Sequence, residues 1–198
     1  MRFASLLIPL VFSLLLGACS SVRLVDTEVR SFAPTTLSAP TTTAPQTYQI
    51  ERLPSQQTAP FDAIEEVVKR ALTPHGLTAV EGDAALRLQI EYTERQQDHA
   101  PWETPRSPFW GRFWFGSGGS GVGLGMHFPP VTRPWFEREL HLILRRDSDR
   151  AVVFETRARH DGIWADTATV LPAMLEAALR DYPQGHPEVQ TINIDIPR

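Results

Sequence analysis

The sequence is poor in cysteine, in lysine and in long apolar runs, and each scarcity excludes something. Cys19 is the only cysteine among 198 residues. No disulfide can form within the chain, so packing alone must hold its fold, even in an oxidising compartment. Lys69 is the only lysine; arginine carries the remaining positive charge, which reads as a compositional habit. Without a lysine after a glycine loop, a phosphate-binding P-loop is excluded. The formal net charge of −4 argues against a nucleic-acid partner and against a polybasic grip on anionic lipid. Beyond the N-terminus, no apolar stretch is long enough to span a bilayer. No internal repeat of fixed period is visible.

What is there begins at the N-terminus, MRFASLLIPLVFSLLLGACSS. Arg2 is a positive n-region, Phe3 to Leu16 an apolar h-region, and Gly17-Ala18 a small-residue cleavage site, the pattern of an export signal. The next residue is Cys19. Leu16-Gly17-Ala18-Cys19 resembles the bacterial lipobox, in which a diacylglycerol is joined to the cysteine sulfur and the signal is cut just before it. Cleavage between Ala18 and Cys19 would leave 180 residues, enough for one domain with a proper core. Ser20 is not the aspartate that often marks retention at the inner membrane. The resemblance therefore implies a lipid anchor in the outer membrane, with the chain on the periplasmic face.

Val22 to Phe32 is rich in β-branched residues and predicts a first strand. Ala33 to Thr47 is a run of Thr, Pro, Ala and Ser that cannot bury much apolar surface. If the first strand forms, that run is a loop within the domain; otherwise Ser20 to Thr47 is a tether. Tyr48 to Leu53 alternates as a strand. Phe61, Ile64, Val67 or Val68, Ala71 and Leu72 then form a helical stripe ending at His75-Gly76. Ala85 to Glu94 alternates cleanly, with Leu86, Leu88, Ile90 and Tyr92 to one side. Glu139 to Arg146 and Ala151 to His160 form a hairpin about a polar turn. A second helix covers Thr169 to Asp181, with Leu171, Met174, Leu175, Ala178 and Leu179 on one face. Val189 to Ile196 closes the chain as a strand.

Strands with one apolar face belong to a sheet covered on one side. The expected fold is therefore α+β, a two-layer sandwich of a mostly antiparallel sheet with two helices on one face, in the order β-β-α-β-β-β-α-β. The boundaries are a signal peptide at 1–18, a lipidated N-terminus with the first strand and Thr/Pro-rich run at 19–47, and an α+β unit at 48–198 with an insertion at 101–136. Residues 19–198 read as one domain. The lipobox, the Thr47-Tyr48 strand, the Ala71-Leu72 and Gly76 helix end, the alternating strand, the glycine- and aromatic-rich insertion and the Tyr182-Pro183 pair together resemble a bacterial lipoprotein family known only as a domain of unknown function, DUF4136. The resemblance implies an envelope location and brings no activity.

The chemistry-bearing motifs are weak. Gly116-Ser117-Gly118-Gly119-Ser120-Gly121 fits G-x-G-x-x-G, but Val122-Gly123-Leu124-Gly125 continues the glycines where a helix should begin. Val122 also denies Ser120 a nucleophile elbow. His160 and Asp161 are strand neighbours pointing to opposite faces, so a base with its orienting acid is not expected. The other histidines lack metal-ligand spacing. Glu139 and His141 share a strand face, as on many solvated sheets. Glu65-Glu66 reads as the wet face of a helix. No catalytic residue, cofactor or metal site is expected.

Pro101 to Phe136 is the exception. It holds nine aromatics of the chain's Phe 10, Trp 5 and Tyr 3, interleaved with glycines and far longer than a hairpin loop needs to be. Three readings stand: a minor core folded back, a disordered loop, or an exposed surface for a membrane or for an envelope protein or glycan partner. On the third, Trp110, Phe113, Trp114 and Phe115 are the contact candidates. Two functions follow: a non-catalytic envelope lipoprotein serving as a binding or structural module, or a periplasmic enzyme or small-ligand carrier with a site between the polar sheet face and this loop.

Overall fold

Successive side chains on a strand point to opposite faces, so each alternating stretch buries every second residue. The computed structural model describes residues 22–34, 46–102, 109–116, 119–126 and 133–197. Its strands are β1 (Val22–Phe32), β2 (Gln46–Glu51), β3 (Leu77–Ala79), β4 (Leu86–Gln97), β5 (Phe109–Gly116), β6 (Gly119–Met126), β7 (Trp135–Arg146), β8 (Val152–Gly162) and β9 (Gln190–Pro197). The helices are α1 (Ala59–Leu72) and α2 (Thr167–Ala178).

Seven strands form one sheet in the order β3-β2-β4-β7-β8-β1-β9. β2 lies parallel to β3 and β4; the remaining pairings are antiparallel. Val22 to Phe32 is thus a strand, held between β8 and β9. The Thr/Pro-rich residues 35–45 lie outside the described residues.

One face of the sheet is covered. Val25 and Val29, Leu88 and Ile90, Leu140, Leu142 and Leu144, Phe154 and Ala158, and Ile192 and Ile194 point inward from five strands. Phe61, Val68 and Leu72 of α1 close over them, as do Val170, Leu171, Met174 and Leu175 of α2. The expected α+β sandwich forms.

Two glycines fix the connections. Gly76 takes φ 76° after α1, a left-handed conformation that a side chain resists, and Leu77 turns back into the core. Gly185 takes φ 75° in the turn before β9, and a Cβ there would meet the Ala33 backbone nitrogen at 2.8 Å. That close approach ties the turn to β1, where the Ser31 amide donates to the His186 carbonyl at 2.8 Å.

Several expectations need correcting. β3 is too short to leave a periodic signal. β5 and β6 pair antiparallel as a separate two-stranded ribbon inside the insertion, where a loop was expected; repeated glycines hid the strands. β7 begins at Trp135, so Trp135 and Phe136 belong to the main sheet and not to the insertion. Its first half escaped notice because its inward positions include Arg138. Glu65 is not on a wet face: it is buried between Arg52 Nη2 at 2.5 Å and Lys69 Nζ at 2.7 Å.

Candidate functional site

The open face of the sheet is a lattice of charges. His141 lies 2.9 Å from Glu155 and 3.4 Å from Glu91 on the flanking strands. Arg157 pairs with Glu139 at 3.3 Å, and Arg145 donates to Gln89 at 3.0 Å. Glu139 therefore partners an arginine, and His141 two other carboxylates. A recess of about 270 Å³ opens here among Thr93, Arg95, Glu137, Glu139 and Arg159. A second of about 550 Å³ lies between β2 and α1, beside Arg52, Glu65 and Lys69. Beneath it Tyr48 is fully buried; burial pushes its phenol up to about 12, against the lowering effect of Lys69.

The covered face holds the more unusual arrangement. Antiparallel registers align Glu94, Arg138 and His160 in one row across β4, β7 and β8, and extending the β1–β8 register adds Thr27 of β1. The Arg138 side chain has no exposed surface. Its Nε donates to Glu94 at 3.0 Å, its Nη2 to the Thr167 hydroxyl at 3.2 Å, and its guanidinium lies over Phe136 at 5.0 Å. The Thr167 and Tyr92 hydroxyls each donate to Glu94 at 2.7 Å. Burial works against the Glu94 charge, but these hydroxyls and the guanidinium hold its carboxyl below the ordinary range. The same burial, then the bond to Glu94, raises the Tyr92 phenol.

Beside Arg138, His160 is 2% exposed, and its Nδ1 lies 2.6 Å from the Asp26 carbonyl oxygen. A carbonyl can only accept, so Nδ1 carries the proton and donates to it. Nε2, Arg138 Nη1 and Thr27 Oγ1 are buried without a protein partner. A guanidinium N–H, a ring nitrogen and a hydroxyl thus lie close together on one buried row of the covered face. Asp161 turns away, receiving Trp135 Nε1 at 3.2 Å, so His160 and Asp161 make no catalytic pair.

Arg138 escaped the sequence reading, although its even-numbered position beside Phe136 and Leu140 was the available signal. Cys19 and the expected cleavage site Ala18–Cys19 lie outside the described residues. So do the side chains of Trp110, Phe113, Trp114 and Phe115; by backbone register, β5 sets Trp110 opposite Gly125 and Trp114 opposite Gly121. Among the described residues, no group of three or more His, Cys, Asp or Glu is placed to hold a metal. No described helix is long and apolar enough to cross a membrane.

The family described as a domain of unknown function, DUF4136, matches residues 38–184. The chain belongs to the DUF4136 family. No curated protein matches this DUF4136 sequence. Among solved structures, a PDZ domain protein from Parabacteroides distasonis is similar with a TM-score of 0.51 at 10% identity, over 92% of this chain. The chain spans 41% of that protein's length. PelC from Paraburkholderia phytofirmans, a dodecamer, aligns at TM-score 0.42 and 13% identity, over 77% of this chain and 94% of PelC. A minor lipoprotein from Acinetobacter baumannii aligns at 0.34 and 15%, over 69% and 91%. The first of these likenesses speaks to the fold alone, and the other two are too distant to carry an argument.

Proposed function

We propose that this DUF4136 protein is a lipid-anchored envelope lipoprotein, a non-catalytic binding or structural module on the periplasmic face of the outer membrane. The observation that carries the reading is the only cysteine, Cys19, standing directly after Leu16-Gly17-Ala18 at the end of an export signal. Two features support it. β1 begins at Val22, so the folded sheet starts three residues beyond the attachment point. His141 with Glu91 and Glu155, and Arg157 with Glu139, pair across the open face, as befits a solvated surface more than an acid–base site. Ser20 favours the outer membrane over the inner.

Fractionation of cells expressing Cys19→Ala tests the anchor. The variant should accumulate as an unprocessed precursor or as soluble protein, while the unsubstituted chain sediments with outer membranes. Mature Cys19→Ala protein in the outer-membrane fraction would overturn the reading.

A further inference from the structure

The open face loses its polar character at one end of the sheet. Arg95, Glu137, Asp161 and Asp26 align across β4, β7, β8 and β1, Asp26 by extension of the β1–β8 register. One row further out, Gln97 faces Trp135. Ile163 follows the last residue of β8, and continuing the β7–β8 and β1–β8 registers sets it between Trp135 and Leu24. Trp102 packs edge-on against Trp135, ring centroids 4.7 Å apart. These side chains are not folded away: Trp102 is 69% exposed, Leu24 52%, Ile163 38%, and Val22, two residues beyond Leu24, 48%. Exposed apolar side chains clustered at one end of an otherwise charged face mark a contact surface.

The same end is where β1 begins. Cys19 precedes Val22 by three residues, a span of at most about 11 Å, while β7 and β1 are separated only by β8, a lateral distance of about 10 Å at ordinary strand spacing. Any lipid on Cys19 therefore holds this row within reach of the leaflet that takes up its acyl chains. The β5–β6 ribbon is rooted here too, between Gln97 and Trp135.

We propose that Val22, Leu24, Trp102 and Ile163 seat on the phospholipid leaflet that carries the anchor, so that the sheet stands on this end with its β7–β8 turn farthest from the bilayer. This rests on the lipoprotein reading above. Tryptophan and aliphatic side chains at an interface fix orientation, a task that acyl chains attached at a single residue do not perform. An acyl anchor gives attachment and the apolar row gives posture.

The test uses full-length lipidated protein in vesicles of phosphatidylethanolamine and phosphatidylglycerol. Nitroxide labels are placed at Trp102→Cys, Ile163→Cys and, in the distal turn, Ser148→Cys. Relaxation by oxygen, which partitions into lipid, is compared with relaxation by an aqueous nickel chelate. The oxygen-to-nickel ratio at 102 and 163 should exceed that at 148 several-fold, and should fall to the value at 148 in detergent-free soluble Cys19→Ala protein. A Leu24→Glu/Ile163→Glu variant should stay vesicle-bound but return the label at 102 to an aqueous ratio. Equal ratios at all three positions with the protein still on vesicles would overturn the docking and leave the anchor standing. Labels at 102 and 163 shielded equally in the soluble protein would assign the row to a second copy, which also overturns it. Failure of the unsubstituted protein to bind vesicles would remove the anchor and the docking together.

Discussion

At the end of the sheet that carries the β7–β8 turn, β4 keeps to alternation, and β7 departs from it at Ile143, which is buried between Leu142 and Leu144. Leu86 and Leu144 point inward, while Arg87 pairs with Asp147 at 2.6 Å and Arg146 with Asp149 at 2.7 Å in or beside solvent. At the opposite end, where β1 starts, both faces break the pattern. The covered face admits Glu94, Arg138, His160 and Thr27, and the open face ends in Trp135, Ile163 and Leu24. Alternation is what hydrophobic burial alone would select; departures persist where something besides stability is being satisfied. Both of these departures lie at the end where β1 begins, three residues after Cys19 in the sequence.

The largest effect should come from breaking the buried row. Glu94→Ala leaves the Arg138 guanidinium, whose side chain has no exposed surface, without its counter-charge, at a cost of about 3–5 kcal/mol. The sign of its pH dependence follows from the lowered carboxyl of Glu94. A group whose folded pKa is depressed contributes stability that is complete above its unfolded value, near 4.5, and is lost as pH falls through the folded value. Urea unfolding from pH 7 to pH 3 should therefore show a steeper acid loss in the unsubstituted protein than in Glu94→Gln. Parallel curves would mean that the row does not depend on this charge.

Next in size is the contrast between the faces themselves. Leu88→Ala should cost about 2–5 kcal/mol, because Leu88 is 1% exposed beneath the helices. Gln89→Ala, on the open face, should stay within about half a kcal/mol. Equal losses in chemical denaturation would show that the open face is covered in solution.

The smallest effect should come from the ribbon. Replacing Pro108 to His127 by a short glycine linker roughly halves the connection between β4 and β7, which alters loop-closure entropy by only about 0.6 kcal/mol. The seven-stranded sheet should keep its melting behaviour and its membrane attachment, while losing any crosslinked envelope partner held by Trp110, Phe113, Trp114 or Phe115. A loss of several kcal/mol would instead make the ribbon part of the core.

Alternation made most of the fold legible. Leu86 to Tyr92, Leu140 to Leu144 and Ile192 to Ile196 each announced a strand and the face it buries, and the apolar stripes of α1 and α2 announced the cover. What stayed hidden has a common cause: periodicity reports burial only where buried residues are apolar. Arg138 and His160 occupy inward positions of β7 and β8 but read as polar, so the sequence pattern starts β7 at Glu139, four residues late. Glu65 was misread for the same reason, because Arg52 and Lys69 supply from elsewhere the charges that let it be buried. The glycines of β6 carry no side-chain alternation at all. The row of Trp135, Ile163 and Leu24 is invisible in sequence because it is made by the registry of three strands far apart in the chain.

The most direct measurement of the central claim is the mass of the N-terminal peptide of protein purified from membranes. It should begin at Cys19 and carry diacylglycerol in thioether linkage, with no peptide retaining Leu16-Gly17-Ala18. A mature chain beginning elsewhere, or a free Cys19 thiol in membrane-bound protein, would contradict it.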